Sequence, residues 1–193
     1  MKDHPRNWRH FALLLIDVQK DFYRPKLANL LPEFPTNIVR LLELCRAEGI
    51  EVIHVRSRFK ADGSDWIRKH VKPPCIENTE GVEPHSFALA EPGEKVIYKH
   101  THNGFGKPEL MHHLRKRDIK FVLTAGLVTC VCVLLTTTSV VQNGLLAAVV
   151  EDGCAAGNDH EESLNKLAKS TWGRVGINDI VGRHKDWMGL LDD

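Results

Sequence analysis

The sequence predicts an α/β protein: a doubly wound, mainly parallel sheet with helices on both faces, a Rossmann-like three-layer arrangement. Three observations carry this. Short, continuous apolar runs recur along the chain, as strands buried on both faces require. Segments with apolar residues at helical spacing lie between them. The two kinds alternate in the order β-α-β, long loop, β-α-β-α-β-α, which calls for parallel strands joined by right-handed crossovers.

Phe11 to Ile16 is the first apolar run. Ile38, Leu41, Leu42 and Cys45 then recur at i, i+3, i+4 and i+7 and predict a helix, with Thr36 as its N-cap and Gly49 as its stop. Val52 to Val55 is the second strand. Ser57 to Glu94 carries Pro73-Pro74 and Gly81 and is too long for a plain connector, so it is expected to shape a pocket or an oligomer contact. Val96 to Tyr98 is the third strand, and Leu110, Met111 and Leu114 after Pro108 mark a second helix. Phe121 to Thr124 is the fourth strand, Cys132 to Asn143 the third helix, and Leu145 to Val150 the fifth strand. Leu164, Leu167 and Ala168 mark the last helix, for which Asn158 and Glu161 have the spacing of a capping box. At 193 residues the chain fits one domain, 1–193, large enough to bury well over half of its extended surface.

Composition narrows the partners. Lys and Arg number 26 and Asp and Glu 25, a net charge of +1 that offers no general attraction to nucleic acid or to an anionic membrane. A small-molecule substrate is the partner expected. The five cysteines are odd in number and scattered, which suits a reducing compartment, and the polar start Met1 to His10 has neither the charge pattern nor the apolar core of a signal peptide or anchor. The expected location is cytoplasmic.

In open α/β sheets, ligands bind where strand C-termini meet the following loops. Asp17 ends the first strand, Lys99 ends the Val96-Ile97-Tyr98 strand, and Cys132 follows the fourth, so an acid, an ammonium and a thiol are expected at one sheet edge. Cys132 lies where a strand turns at Gly126 and runs into a helix. A helix N-terminus favours a thiolate, the nucleophilic form of cysteine, so a thiolate is expected there.

Four segments, in order, carry a family resemblance: Leu15-Ile16-Asp17-Val18-Gln19-Lys20-Asp21-Phe22; Lys99 with His102-Asn103-Gly104-Phe105; Gly126-Leu127-Val128-Thr129-Cys130-Val131-Cys132-Val133; and Val149-Val150-Glu151-Asp152-Gly153-Cys154-Ala155-Ala156. Over roughly residues 11 to 170 the chain resembles the isochorismatase-like cysteine hydrolases, a superfamily that includes nicotinamidases, N-carbamoylsarcosine amidohydrolases and ureidoacrylate or biuret hydrolases. The pattern Gly-Val-x-Thr-x-x-Cys-Val selects Cys132 over Cys130 as nucleophile. The resemblance implies a catalytic trio of Asp17, Lys99 and Cys132 in which Asp17 accepts the thiol proton. Lys99 holds carboxylate and thiolate in their charged forms. It implies an oxyanion hole from the backbone N–H groups of Val128 and Cys132, with a cis peptide just before Thr129. Phe22, Trp66, His102, Asn103, Phe105 and Thr129 would line the substrate, and Arg56 or Arg58 would meet a carboxylate.

Departures from the family pattern sharpen the reading. Nicotinamidases bind a metal through Asp-x-His after the second strand, where this chain has Ser57 and Phe59, so neither a metal nor any other cofactor is expected. After the nucleophile the chain reads Thr136-Thr137-Thr138-Ser139-Val140, where relatives often have Thr-Ala-x-Asp-Ala, a change expected to lie away from the reactive groups. The leading function is metal-independent hydrolysis of a C–N bond in a small amide or ureide through a thioester on Cys132. The alternative is vinyl-ether hydrolysis of isochorismate with Asp17 as acid, and a third is a non-catalytic binding protein on the same fold. Relatives usually assemble, so a homo-oligomer, dimer or tetramer, is expected. The long Ser57 to Glu94 segment and the Trp187-Met188-Gly189-Leu190-Leu191 tail would supply the contact.

Overall fold

The structure, a computed structural model, describes residues 6–66 and 74–191. Six strands form one sheet in the order β3-β2-β1-β4-β5-β6, and every pairing is parallel. They are β1 (Phe11–Ile16), β2 (Glu51–Ser57), β3 (Lys95–Lys99), β4 (Phe121–Leu127), β5 (Leu146–Ala155) and β6 (Arg174–Val175). The helices are α1 (Pro25–Leu30), α2 (Phe34–Glu48), α3 (Pro108–Lys116), α4 (Leu134–Gln142), α5 (His160–Ser170) and α6 (Ile180–Gly189).

The continuous apolar runs are central strands because both of their faces are covered. In β1 alternate residues serve opposite cores: Phe11, Leu13 and Leu15 face α1, α2 and α6, while Ala12, Leu14 and Ile16 face α3, α4 and α5. All six are buried, and at about 2 kcal/mol for each large apolar side chain such burial outweighs any local preference.

Several boundaries differ from the expectation. Helix α2 begins at Phe34 with Glu33 as cap, so Thr36 lies inside the first turn. Pro35 sets that start, since its fixed φ and missing N–H suit a first turn. Gly49 does end the helix, in the left-handed conformation at φ 76°. Helix α5 starts after Asp159 with no side-chain cap, and Glu161 pairs instead with Arg174 at 3.0 Å, so the Asn158 capping box does not form. Strand β5 runs on to Ala155 through an irregularity between its pairings with Thr124 and Gly126. The expected strand ends at Val150; beyond that end Asp152 accepts from the Ile177 N–H at 3.0 Å, which gives the polar residue a reason to be in a strand. Helix α1, strand β6 and helix α6 carry too few periodic residues to stand out in the sequence.

Within the C-terminal tail, Trp187 belongs to the core. Trp187 packs 4.7 Å from the Phe121 ring, and Met188, Leu190 and Leu191 lie against the same cluster. Within the long segment, Phe59, Cys75 and Ala88 are buried, and residues 67–73 lie outside the described residues. Among the described residues, no helix is long and apolar enough to cross a membrane.

Candidate active site

Strand order reverses between β1 and β4, and at such a switch point the loops leaving the two strands diverge and open a crevice at their C-terminal ends. Asp17 leaves β1 in the left-handed region, φ 52°, a conformation that Asp tolerates better than most residues. Gly126 near the end of β4 has φ +119°, and a Cβ there would lie 2.0 Å from the Ile16 carbonyl oxygen, so only glycine lets the two strand ends approach. A cis peptide joins Leu127 to Val128. Thr129–Val133 then form one π-helical turn leading into α4, and this turn carries Cys132.

Lys99 comes from two strands away. Adjacent strands are about 4.8 Å apart, so β3 lies roughly 10 Å from β1, and only a long side chain can cross the end of β2. Lys99 does so. Its Nζ is 2.7 Å from Asp17 Oδ2 and 3.5 Å from Cys132 Sγ, and it donates to Ser57 Oγ at 2.8 Å and to the Thr101 carbonyl at 3.0 Å. Asp17 Oδ1 accepts from the Ser57 N–H at 2.8 Å. Its Oδ2 is held by the Lys99 ammonium. The three expected headgroups are therefore gathered, with Asp17 at 0 %, Cys132 at 1 % and Lys99 at 2 % exposure. Cys130, only half-buried, is not among the groups that Lys99 contacts.

Electrostatics correct one expectation. Burial, reinforced by the Asp17 carboxylate, pushes the Cys132 thiol well above its ordinary value, and the Lys99 ammonium only partly opposes this. The resting sulfur is a thiol in place of the expected thiolate, because burial and the Asp17 carboxylate both disfavour the charged form. For Lys99, burial favours the neutral amine, but Asp17 and Cys132 outweigh it and raise the ammonium pKa.

The expected wall residues divide. His102 Nδ1 lies 3.9 Å from Cys132 Sγ, and burial and the Lys99 charge hold this imidazole below its ordinary value. Thr129 is buried and hydrogen-bonds His160 Nδ1 at 2.9 Å. The Asn103 side chain is used structurally: Nδ2 donates to Ser139 Oγ at 2.7 Å and Oδ1 accepts from the Phe105 N–H at 2.9 Å. Phe22 and Phe105 pack against opposite cores, and Trp66 is 69 % exposed. Arg58 stacks on Tyr98 at 3.7 Å, and Arg56 is buried beside His54 and the Ala88 carbonyl.

Four contributors were not legible in advance. Gln19 is fully buried, its Oε1 accepting from the Ser57 N–H and its Nε2 donating to the Ser57 and Val82 carbonyls, so it ties the end of β2 to the long segment. Ser57 and Thr101 accept from Lys99, and His160 supports Thr129. A Gln two residues after the strand-end Asp17 was the one available signal. Ser57 also bears on metals: its hydroxyl is engaged by Lys99, and Phe59 sits in the core, so the two positions do not fit a metal-binding Asp-x-His pair. Among the described residues, no group of three or more His, Cys, Asp or Glu side chains is arranged to hold an ion.

Comparison with known proteins agrees with this architecture. Residues 11–175 match the family model described as the isochorismatase domain. The uncharacterized isochorismatase family protein YddQ of Bacillus subtilis (strain 168) is 33% identical over 146 residues, covering 75% of this chain and 77% of that protein. A nicotinamidase of Escherichia coli (strain K12) is 26% identical over 179 residues, covering 76% and 84%. Among solved structures, a cysteine hydrolase from Pseudomonas syringae pv. phaseolicola 1448A superposes with a TM-score of 0.82 at 22% identity, covering 95% and 96% of the two chains, a likeness of fold. A matched domain spanning nearly the whole chain, on a parallel sheet that gathers Asp17, Lys99 and Cys132 at its switch point, places this protein in the isochorismatase family of hydrolases.

Proposed function

We propose that this hydrolase cleaves a C–N bond of a small amide or ureide through a thioester on Cys132, without a metal. The observation that carries the reading is Lys99 Nζ standing 2.7 Å from a buried carboxylate and 3.5 Å from a buried thiol. A base, a cation and a nucleophile so placed suit acyl transfer and have no structural use that would justify burying them together. The Asp17 carboxylate, hydrogen-bonded to the thiol, takes its proton as Sγ bonds to the carbonyl carbon. Lys99 stays protonated and offsets the negative charge throughout. The backbone N–H groups of Val128 and Cys132 receive the developing oxyanion, each such donor being worth about 3 kcal/mol. Collapse breaks the C–N bond, the nitrogen takes the proton held by Asp17, and water then hydrolyses the thioester. The nicotinamidase likeness supports the amide class, while Ser57 and Phe59 argue against a metal-bound pyridine substrate.

Cys132→Ala, assayed on a panel of small amides and ureides, is expected to lower kcat by roughly 10⁴-fold or more. Full turnover by this variant would remove the covalent step. Alkylation that abolishes amide turnover but spares isochorismate cleavage would assign the vinyl-ether activity to Asp17. No turnover of either class would leave a binding protein.

A further inference from the structure

The cluster contains a second base that the Asp17–Lys99–Cys132 trio does not use. We infer that His102 is a further catalytic residue, the general base that delivers water to the thioester on Cys132. This rests on the thioester reading above and assigns its second half-reaction.

Geometry comes first. His102 Nδ1 lies 3.9 Å from Cys132 Sγ, close enough to activate a water attacking a carbon bonded to that sulfur. Its loop is built to hold it there. Thr101, before it, accepts from Lys99 through its carbonyl and donates from Oγ1 to the Asn103 carbonyl at 2.9 Å. Asn103, after it, donates to Ser139 Oγ on α4, and the Gly104 N–H donates to Thr136 Oγ1 at 3.0 Å. The Thr136 to Ser139 stretch, expected to lie away from the reactive groups, thus anchors the loop that brings the imidazole to the sulfur.

Access favours His102 over Asp17 for this step. Asp17 has no exposed surface, and its oxygens are already engaged, one by the Ser57 N–H and the other by the Lys99 ammonium. His102 is half-buried, so its ring meets both the sulfur and the approach from solvent. The charged groups facing it are Lys99, which disfavours the imidazolium, and Asp17, which favours it. On its own loop His100 is engaged with Asp65 at 3.1 Å, and the α4 side chains holding the loop are uncharged. The ring is therefore neutral at pH 7 and able to accept a proton. As the water oxygen bonds to the thioester carbon, its proton passes to His102. The C–S bond breaks, and the imidazolium returns that proton to the departing thiolate, which regenerates the resting thiol and releases the acid.

The test uses the full chain with p-nitrophenyl acetate, which reports acylation as a nitrophenolate burst and deacylation as the steady phase. For His102→Gln the expected result is an acetyl adduct that accumulates on Cys132 by intact mass, with the steady phase slowed roughly 10²–10⁴-fold. The acid limb of the rate profile below pH 6.5 should disappear, and added imidazole should restore turnover, which a merely structural role would not allow. A burst followed by wild-type deacylation in the variant overturns the assignment of His102 and leaves the thioester reading intact. Turnover in both proteins with no Cys132 adduct in either, even in acid-quenched samples, overturns both.

Discussion

At the scale of single residues, the notable fact about Cys132 is that its nucleophilicity is withheld. Burial and the Asp17 carboxylate keep the proton on sulfur, so attack requires Asp17 to take that proton at the moment the C–S bond forms. The two roles of Asp17 can be separated. In Asp17→Asn the negative neighbour is lost, the thiol pKa falls, and the thiolate fraction at pH 8 rises about tenfold for each unit of that fall. Alkylation of Cys132 by iodoacetamide should therefore accelerate while amide turnover is lost. Slower alkylation in this variant would show that the carboxylate assists ionisation instead. The trio was legible because each member ends or follows an apolar strand, whereas Gln19 and Ser57 were not, since a hydrogen bond to a backbone 38 residues away leaves no local mark.

Elements are held to one another by a clamp remote from the chemistry. Glu94, just before β3, accepts from Arg46 of α2 at 2.8 Å and pairs with His54 of β2 at 2.9 Å. Burial opposes its ionisation, but the Arg46 guanidinium, the Glu91 N–H and His54 hold the carboxyl down at about 2. A depressed acid contributes stability that is complete above its unfolded value near 4.5 and is lost as the pH falls toward about 2. His54, depressed mainly by burial, acts in the same direction, because the unfolded chain binds its proton first as the pH drops below 6.5. Urea denaturation should show wild-type stability declining into acid. Glu94→Gln should lose about 1–3 kcal/mol at pH 7 and show a flatter decline below pH 4.5. An unchanged acid limb would remove Glu94 from this role. The helix boundaries that sequence reading misplaced, at Thr36 and Asn158, are sites where Pro35 or a distant Arg174 sets the local structure in place of a nearby cap.

For the molecule as a whole, stability and chemistry occupy opposite ends of the sheet. Trp187 of α6 packs on Phe121 and Phe11 at the N-terminal ends of β4 and β1, away from the switch point. Trp187→Ala should cost roughly 3–5 kcal/mol and lower Tm by about 10 °C, with turnover per folded molecule retained. Equal loss of turnover at a temperature where the variant is folded would show that the two ends are coupled.

The sequence by itself determined the layered α/β architecture, since period and apolar content are local properties that report which faces are buried. It also placed Asp17, Lys99 and Cys132 at strand ends. Only the tertiary structure decided that the thiol rests protonated, that Ser57 serves Lys99, that Trp187 is core, and that His102 meets the sulfur. Each of these depends on desolvation or on contacts between residues far apart in the chain, and neither is written in the neighbourhood of any one residue.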